Sequence, residues 1–173
     1  MIVGTRLAAA AKRARDIFKQ RPATRLVVAQ ATAQLNGDGG ATAVRMRGHN
    51  ILVDGPPATG GDDTGPTPGD LIRAGLGAYL AINYAKHAPT FDVELTEITV
   101  NVETDIDLGS SAGLDVDTPP GFSAVRFETL LATNSPEARV RELVAFAEAH
   151  SPSLDDLTRG LPVEGQLTIC RPE

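Results

Sequence analysis

Cysteine is nearly missing from this sequence. Cys170 is the single one in 173 residues, which excludes a disulfide within the chain and any clustered-cysteine zinc site. Tryptophan is absent and aromatic residues make up 4%. No run approaches the ~18 apolar residues of a membrane span. Residues Met1 to Gln20 carry Arg6, Lys12, Arg13, Arg15 and Lys19, so the short apolar stretch of a signal peptide never develops. Positive charge is outweighed, with 16 Lys and Arg against 22 Asp and Glu and a net charge of −6. That balance argues against a nucleic-acid surface. Asp54, Asp62 and Asp63 lie in one loop, but their spacing fits no metal-ligand set, and they read as solvated carboxylates. The expectation is a cytoplasmic protein with no metal, cofactor, nucleic-acid or membrane partner. What is present is ordinary for a globular chain: 42% apolar and 22% charged residues, at a length that supports one domain with a core.

The most informative stretch runs from Gly60 to Ile82. It opens as a Gly/Pro-rich loop and becomes a helix. Pro68 suits the first helical position, where its missing N–H costs nothing. Thr67 can cap, and Asp70 sits in the first turn, where the helix dipole favours an anion. From Ala74 to Ile82 the helix is apolar on almost every face apart from Tyr79, the pattern of a helix buried all round. Gly75 and Gly77 each cost about 1 kcal/mol relative to alanine in a helix interior. Their presence predicts that something large lies against the helix backbone.

The remaining elements follow from periodicity and punctuation. Thr5 to Lys19 fits an amphipathic helix with Leu7, Ala11, Ala14 and Phe18 on one face. Leu26 to Leu35 reads as a strand, Asn36 to Gly40 as a turn, and Thr42 to Arg47 as the returning strand. Gly48-His49 turns again into a short strand, Asn50 to Val53. The loop from Asp54 to Thr67 is long enough to suggest a functional role. Beyond the central helix, Phe91 to Asp107 alternates as a strand, and Val125, Phe127 and Thr129 mark another. Ser135-Pro136-Glu137 opens a helix as cap, first-position proline and first-turn acid. Val140, Leu143, Val144 and Ala147 form its inner face. Ser151-Pro152 stops it, a short helix spans Leu154 to Arg159, and Leu167 to Cys170 reads as a last strand. Strands and helices come in groups, so the fold class is α+β.

Three segments resemble the OsmC/Ohr family, the osmotically inducible protein and organic hydroperoxide resistance group. They are Gly48 to Pro57 with Gly60 to Pro68, Asp70 to Tyr79, and Ala147 to Pro152 with Leu157 to Glu164. The likeness runs from about Val28 to Ile169. It divides the chain into an N-terminal helix extension, residues 1–22, and a single OsmC-like domain, residues 23–173. The resemblance implies antiparallel sheets around a long buried central helix, in an intertwined homodimer. It also implies thiol-dependent reduction of organic hydroperoxides, an oxidative-stress activity. In that chemistry a cysteine late in the central helix attacks the peroxide. A second, after the next long helix, resolves it, and an arginine with a glutamate tunes the first thiolate.

Residue by residue, the redox atoms do not carry over. The peroxidatic position is Tyr79 and the resolving position is Ser151. The position of the glutamate is Gly69, with Asp70 one place later, and Arg45 or Arg47 stand for the arginine. A tyrosine has an unperturbed pKa of ~10, and neither hydroxyl replaces a thiolate nucleophile. Cys170 matches neither position and is expected to be a small strand residue. Three readings follow. One is an OsmC-like protein without thiol peroxidase activity that binds a small apolar ligand at the dimer interface, with Tyr79, Ser151, Asp70, Arg45, Arg47 and His150 as pocket candidates. Another keeps the family's hydroperoxide reduction. A third is a hydrolase built on Ser151, disfavoured because its nearest base, His150, is its sequence neighbour. A dimer without ligand is the structural alternative.

Overall fold

Residues 1–171 are described in a computed structural model of the chain. The order of elements is α1 (Thr5–Gln20), β1 (Ala31–Leu35), β2 (Thr42–Met46), β3 (His49–Val53), α2 (Pro68–His87), β4 (Glu97–Ile106), α3 (Leu108–Ser111), β5 (Phe122–Ala132), α4 (Glu137–Ala149) and α5 (Pro152–Thr158). β1, β2 and β3 form one antiparallel sheet, and β4 and β5 form a second. The fold is α+β, as expected.

α2 starts where its sequence says it should. Thr67 Oγ1 accepts from the Asp70 amide at 3.1 Å, and the Asp70 carboxylate accepts from the Thr67 amide at 2.9 Å. This reciprocal capping box, with Pro68 at the first helical position, satisfies donors that the helix start would otherwise leave open. One face of α2 then builds the core. Leu76, Leu80 and Tyr84 pack with Val93, Leu95, Leu143 and Ala147, and Val100, Val102 and Phe127 of the second sheet close over them. β4 lies against Gly77: a Cβ there would be 3.4 Å from Val102 Cγ2 and 3.5 Å from the Val100 carbonyl.

The opposite face of α2 is uncovered within a single chain. Ile72, Ala74, Gly75, Ala78, Tyr79 and Ile82 are exposed, and nothing lies within 4 Å of a Cβ built on Gly75. The helix is apolar on nearly every side, but one chain supplies cover for only half of it.

Other expected boundaries shift for local reasons. The first strand begins at Ala31, and Leu26, Val27 and Val28 are 88%, 80% and 89% exposed, because β2 pairs only from Ala31 to Leu35. The β2–β3 turn is Arg47-Gly48, with Arg47 at φ 55°, so His49 belongs to the strand. The strand expected from Phe91 begins at Glu97, since Ala88–Phe91 is a 3-10 turn. Ser135 does not cap α4; its hydroxyl accepts from the Glu94 amide instead, at 3.0 Å. The expected last strand over Leu167 to Cys170 does not form: Leu167 and Ile169 are 84% and 81% exposed, and Cys170 is exposed too.

α1 has no fully buried residue, yet its entry is tied to the core. The Val3 amide donates to the Leu95 carbonyl at 2.8 Å, and Gly4 lies so close to Ala85 that a Cβ would meet Ala85 Cβ at 2.6 Å.

Candidate functional site

The loop before α2 is organised by Asp54, expected from the sequence to be solvated. It is 2% exposed. Its carboxylate accepts from the amides of Gly55, Asp62 and Thr64 and from the Thr64 hydroxyl, at 2.7–3.1 Å. The Thr64 hydroxyl and the backbone amides hold its pKa at about 2, against the opposing effect of burial. Gly61 packs against this carboxylate so tightly that a Cβ would strike the Gly55 carbonyl. The long loop is therefore a folded lead-in that fixes where α2 begins.

At the first turn of α2, Asp70 pairs with Arg73. Arg73 also donates to Thr104 Oγ1 at 2.8 Å and sits 5.8 Å from the centre of the Phe122 ring. The Thr67 hydroxyl, then Arg73, hold the Asp70 carboxyl at about 2. Arg73 is thus the arginine beside the acid. It is not among the candidates on and beside β2, although its Asp-x-x-Arg spacing on one helix face is visible in the sequence. Arg45 lies exposed on β2 opposite Thr32 and Asn50, and Arg47 occupies the turn. Neither accompanies Asp70 within the chain.

Tyr79 is nine residues beyond Asp70. At 100° per residue it projects from the opposite side of α2, about 13 Å along the axis, and it is 41% exposed. One turn later Asn83 is fully buried. Its amide nitrogen donates to the carbonyls of Ala147 at 3.2 Å and His150 at 3.0 Å. This links α2 to the segment holding Ser151. Ser151 is 2% exposed and its hydroxyl caps α5 by accepting from Leu154 N. His150 stacks on Phe146 at 4.1 Å, with Nδ1 2.8 Å from the Phe146 carbonyl. Serine and imidazole are each engaged elsewhere, which gives the hydrolase reading no geometric support.

Tyr84 is buried beneath the same junction. Its hydroxyl donates to Glu148 at 2.9 Å and lies 3.1 Å from Thr129 Oγ1. Burial pushes its pKa up to about 12, and the Glu148 carboxylate acts in the same direction. Within one chain, then, the six candidate residues divide into separate groups: Asp70 at the helix start, Tyr79 on the open face, His150 and Ser151 at the end of α4, and the two arginines on and beside β2.

This arrangement is that of an OsmC-like fold. The sequence model of the OsmC-like protein family matches residues 60–165, and the chain belongs to that family. Among solved structures it is similar to an OsmC-like protein from Mycoplasma pneumoniae, with 19% identity over 77% of this chain and 89% of the other and a TM-score of 0.66. An OsmC-like protein from Vibrio cholerae has 11% identity over 77% and 95%, with a TM-score of 0.59. An organic hydroperoxide resistance protein OsmC from Legionella pneumophila has 17% identity over 78% and 91%, with a TM-score of 0.55. No curated protein sequence matches the chain.

Proposed function

We propose that the chain works as a homodimer joined across the open face of α2, and that Tyr79 lines an interface pocket binding a small, largely apolar ligand. In this reading thiol peroxidase chemistry has been lost. The observation that carries it is the stripe Ile72, Gly75, Tyr79 and Ile82, exposed on a helix whose opposite face is core. Residues at this spacing fall on one helix face, with Gly75 allowing close approach of a second backbone. The same stripe contains the position where the family's attacking thiol would stand, here a tyrosine. Ser151, at the second thiol position, is buried as a helix cap, which supports a structural role. Asp70 with Arg73 supplies a polar end to a pocket completed by a second copy.

The test is a dithiol-driven assay with cumene hydroperoxide. The native protein should give no turnover, and Tyr79→Cys/Ser151→Cys should give some. Turnover by the native protein, abolished in Cys170→Ser, would overturn this reading. It would favour the activity named for the Legionella protein, carried by the exposed Cys170. A fluorophosphonate probe should leave Ser151 unlabelled.

A further inference from the structure

Charge is distributed very unevenly along this acidic chain. Residues 1–25 hold seven Lys and Arg and one Asp, whereas the rest holds nine against twenty-one Asp and Glu. Three of these seven cations line a groove of about 400 Å³ between α1, the Pro22–Arg25 turn and the end of α2. Ala11, Ala14, Phe18 and Pro22 form its apolar surface, and Arg15, Lys19 and Arg25 reach it from the rim. None of these three cations is ion-paired among the described residues.

The remaining lining residue is His87, contributed by α2. It is 8% exposed, and its Nδ1 is buried with no hydrogen-bond partner among the described residues. Buried polar atoms are rarely left unpartnered without a reason. Burial first, then Lys86 and Arg15, push the His87 pKa down to about 4, so the ring is neutral. Lys86 is also held below its ordinary value, by burial and by Arg15. Positive groups therefore converge here at a cost to one another, and no carboxylate side chain lines the groove. The volume is in the range of small-molecule sites, and apolar walls with a few convergent polar groups are their usual make-up.

We propose that this groove binds an amphiphilic organic anion, a carboxylate bearing an apolar chain or ring. Its acid group rests on Arg15, Lys19 and Arg25, and its apolar part on Ala11, Ala14, Phe18 and Pro22. Arginine suits this role because its planar fork meets a carboxylate with two parallel hydrogen bonds. The site stands apart from the open face of α2 and does not depend on the pocket proposed there.

Dodecanoate is the probe, titrated into the full-length protein below its micelle concentration and followed by calorimetry. Saturable binding of one molecule per chain is expected. Arg15→Gln/Arg25→Gln should weaken it at least tenfold, and dodecan-1-ol should bind at least tenfold more weakly than the acid. Both arginines are exposed, and circular dichroism would verify that the variant remains folded. Nitrogen-15 resonances of the His87 ring should move on binding, and those of His49 should not. Equal binding of acid and alcohol, or undiminished binding by the double variant, would overturn the proposal. Association with phosphatidylglycerol vesicles without uptake of free dodecanoate would overturn it too, in favour of a membrane-surface role for α1.

Discussion

His87 and Asp54 show how much a single buried titratable group can decide. His87 is held neutral, with its pKa pushed down to about 4, whereas an unfolded histidine titrates near 6.5. Between those values the unfolded chain binds the proton more readily, so stability is complete above pH 6.5 and falls as the pH drops toward 4. A tenfold difference in proton affinity between the folded and unfolded chain is worth about 1.4 kcal/mol, so a loss on the order of 2 kcal/mol is expected across that window. His87→Phe keeps a ring against Phe146, which His87 meets edge-on at 5.0 Å. Urea unfolding at pH 7 and pH 4.5 should show the native protein losing stability that the variant retains. Parallel losses in the two proteins would mean that another group is responsible. Asp54 and Asp70 titrate lower, near 2, and their contribution disappears only below about pH 4. At this scale the sequence is partly legible. The Thr67–Asp70 cap can be read because its partners are three residues apart. The burial of Asp54 cannot, because its donors at Asp62 and Thr64 become neighbours only once the loop folds back. Arg73 escapes notice for a different reason: the family resemblance points to the second strand for its arginine, away from the helix that supplies one.

Two glycines on α2 separate what the element owes to its own chain from what it presents outward. A Cβ at Gly77 already reaches van der Waals contact with Val102 and the Val100 carbonyl, so branching beyond it crowds β4, while a Cβ at Gly75 meets nothing. Gly77→Val should destabilise the fold by about 1–3 kcal/mol through overpacking against β4, measured by chemical denaturation. Gly75→Arg should leave the folded chain intact, or stabilise it slightly because glycine is a poor helix former. Sedimentation equilibrium should nevertheless show that Gly75→Arg shifts the protein toward monomer. If Gly75→Arg sediments like the native protein, the open face of α2 is not where two copies meet. The helix itself is legible from its cap, its proline and its length, and so are α1, α4 and the β4–β5 pair. Which side of α2 faces the core is not, because apolar residues occur all round it and periodicity carries no contrast there. The outer segments fail for a related reason. Leu26 to Val28 and Leu167 to Ile169 have strand-like composition, but a strand exists only when another backbone pairs with it.

As a whole molecule the chain leaves much apolar surface uncovered. None of the buried core-cluster residues comes from β1, β2 or β3. Leu26, Val27, Val28, Val163, Leu167 and Ile169 are each 80% or more exposed, and the open stripe of α2 adds to them. Isolated apolar residues on a surface are normal, but contiguous runs of them mark interaction sites. No described helix is long and apolar enough to cross a membrane. A second copy removes the problem, since the same stripe and the same extended segments can meet across a two-fold axis. If so, folding and association are linked, and apparent stability depends on protein concentration. Thermal unfolding at 1 μM and 100 μM should differ, with the midpoint higher in the concentrated sample. Gly75→Arg should lower the midpoint most at high concentration and narrow the difference. A native midpoint that does not move over this hundredfold range would show that the chain folds independently of a partner. The exposed apolar segments would then need an occupant of another kind, and the pocket around Tyr79 would have to be sought within a single subunit.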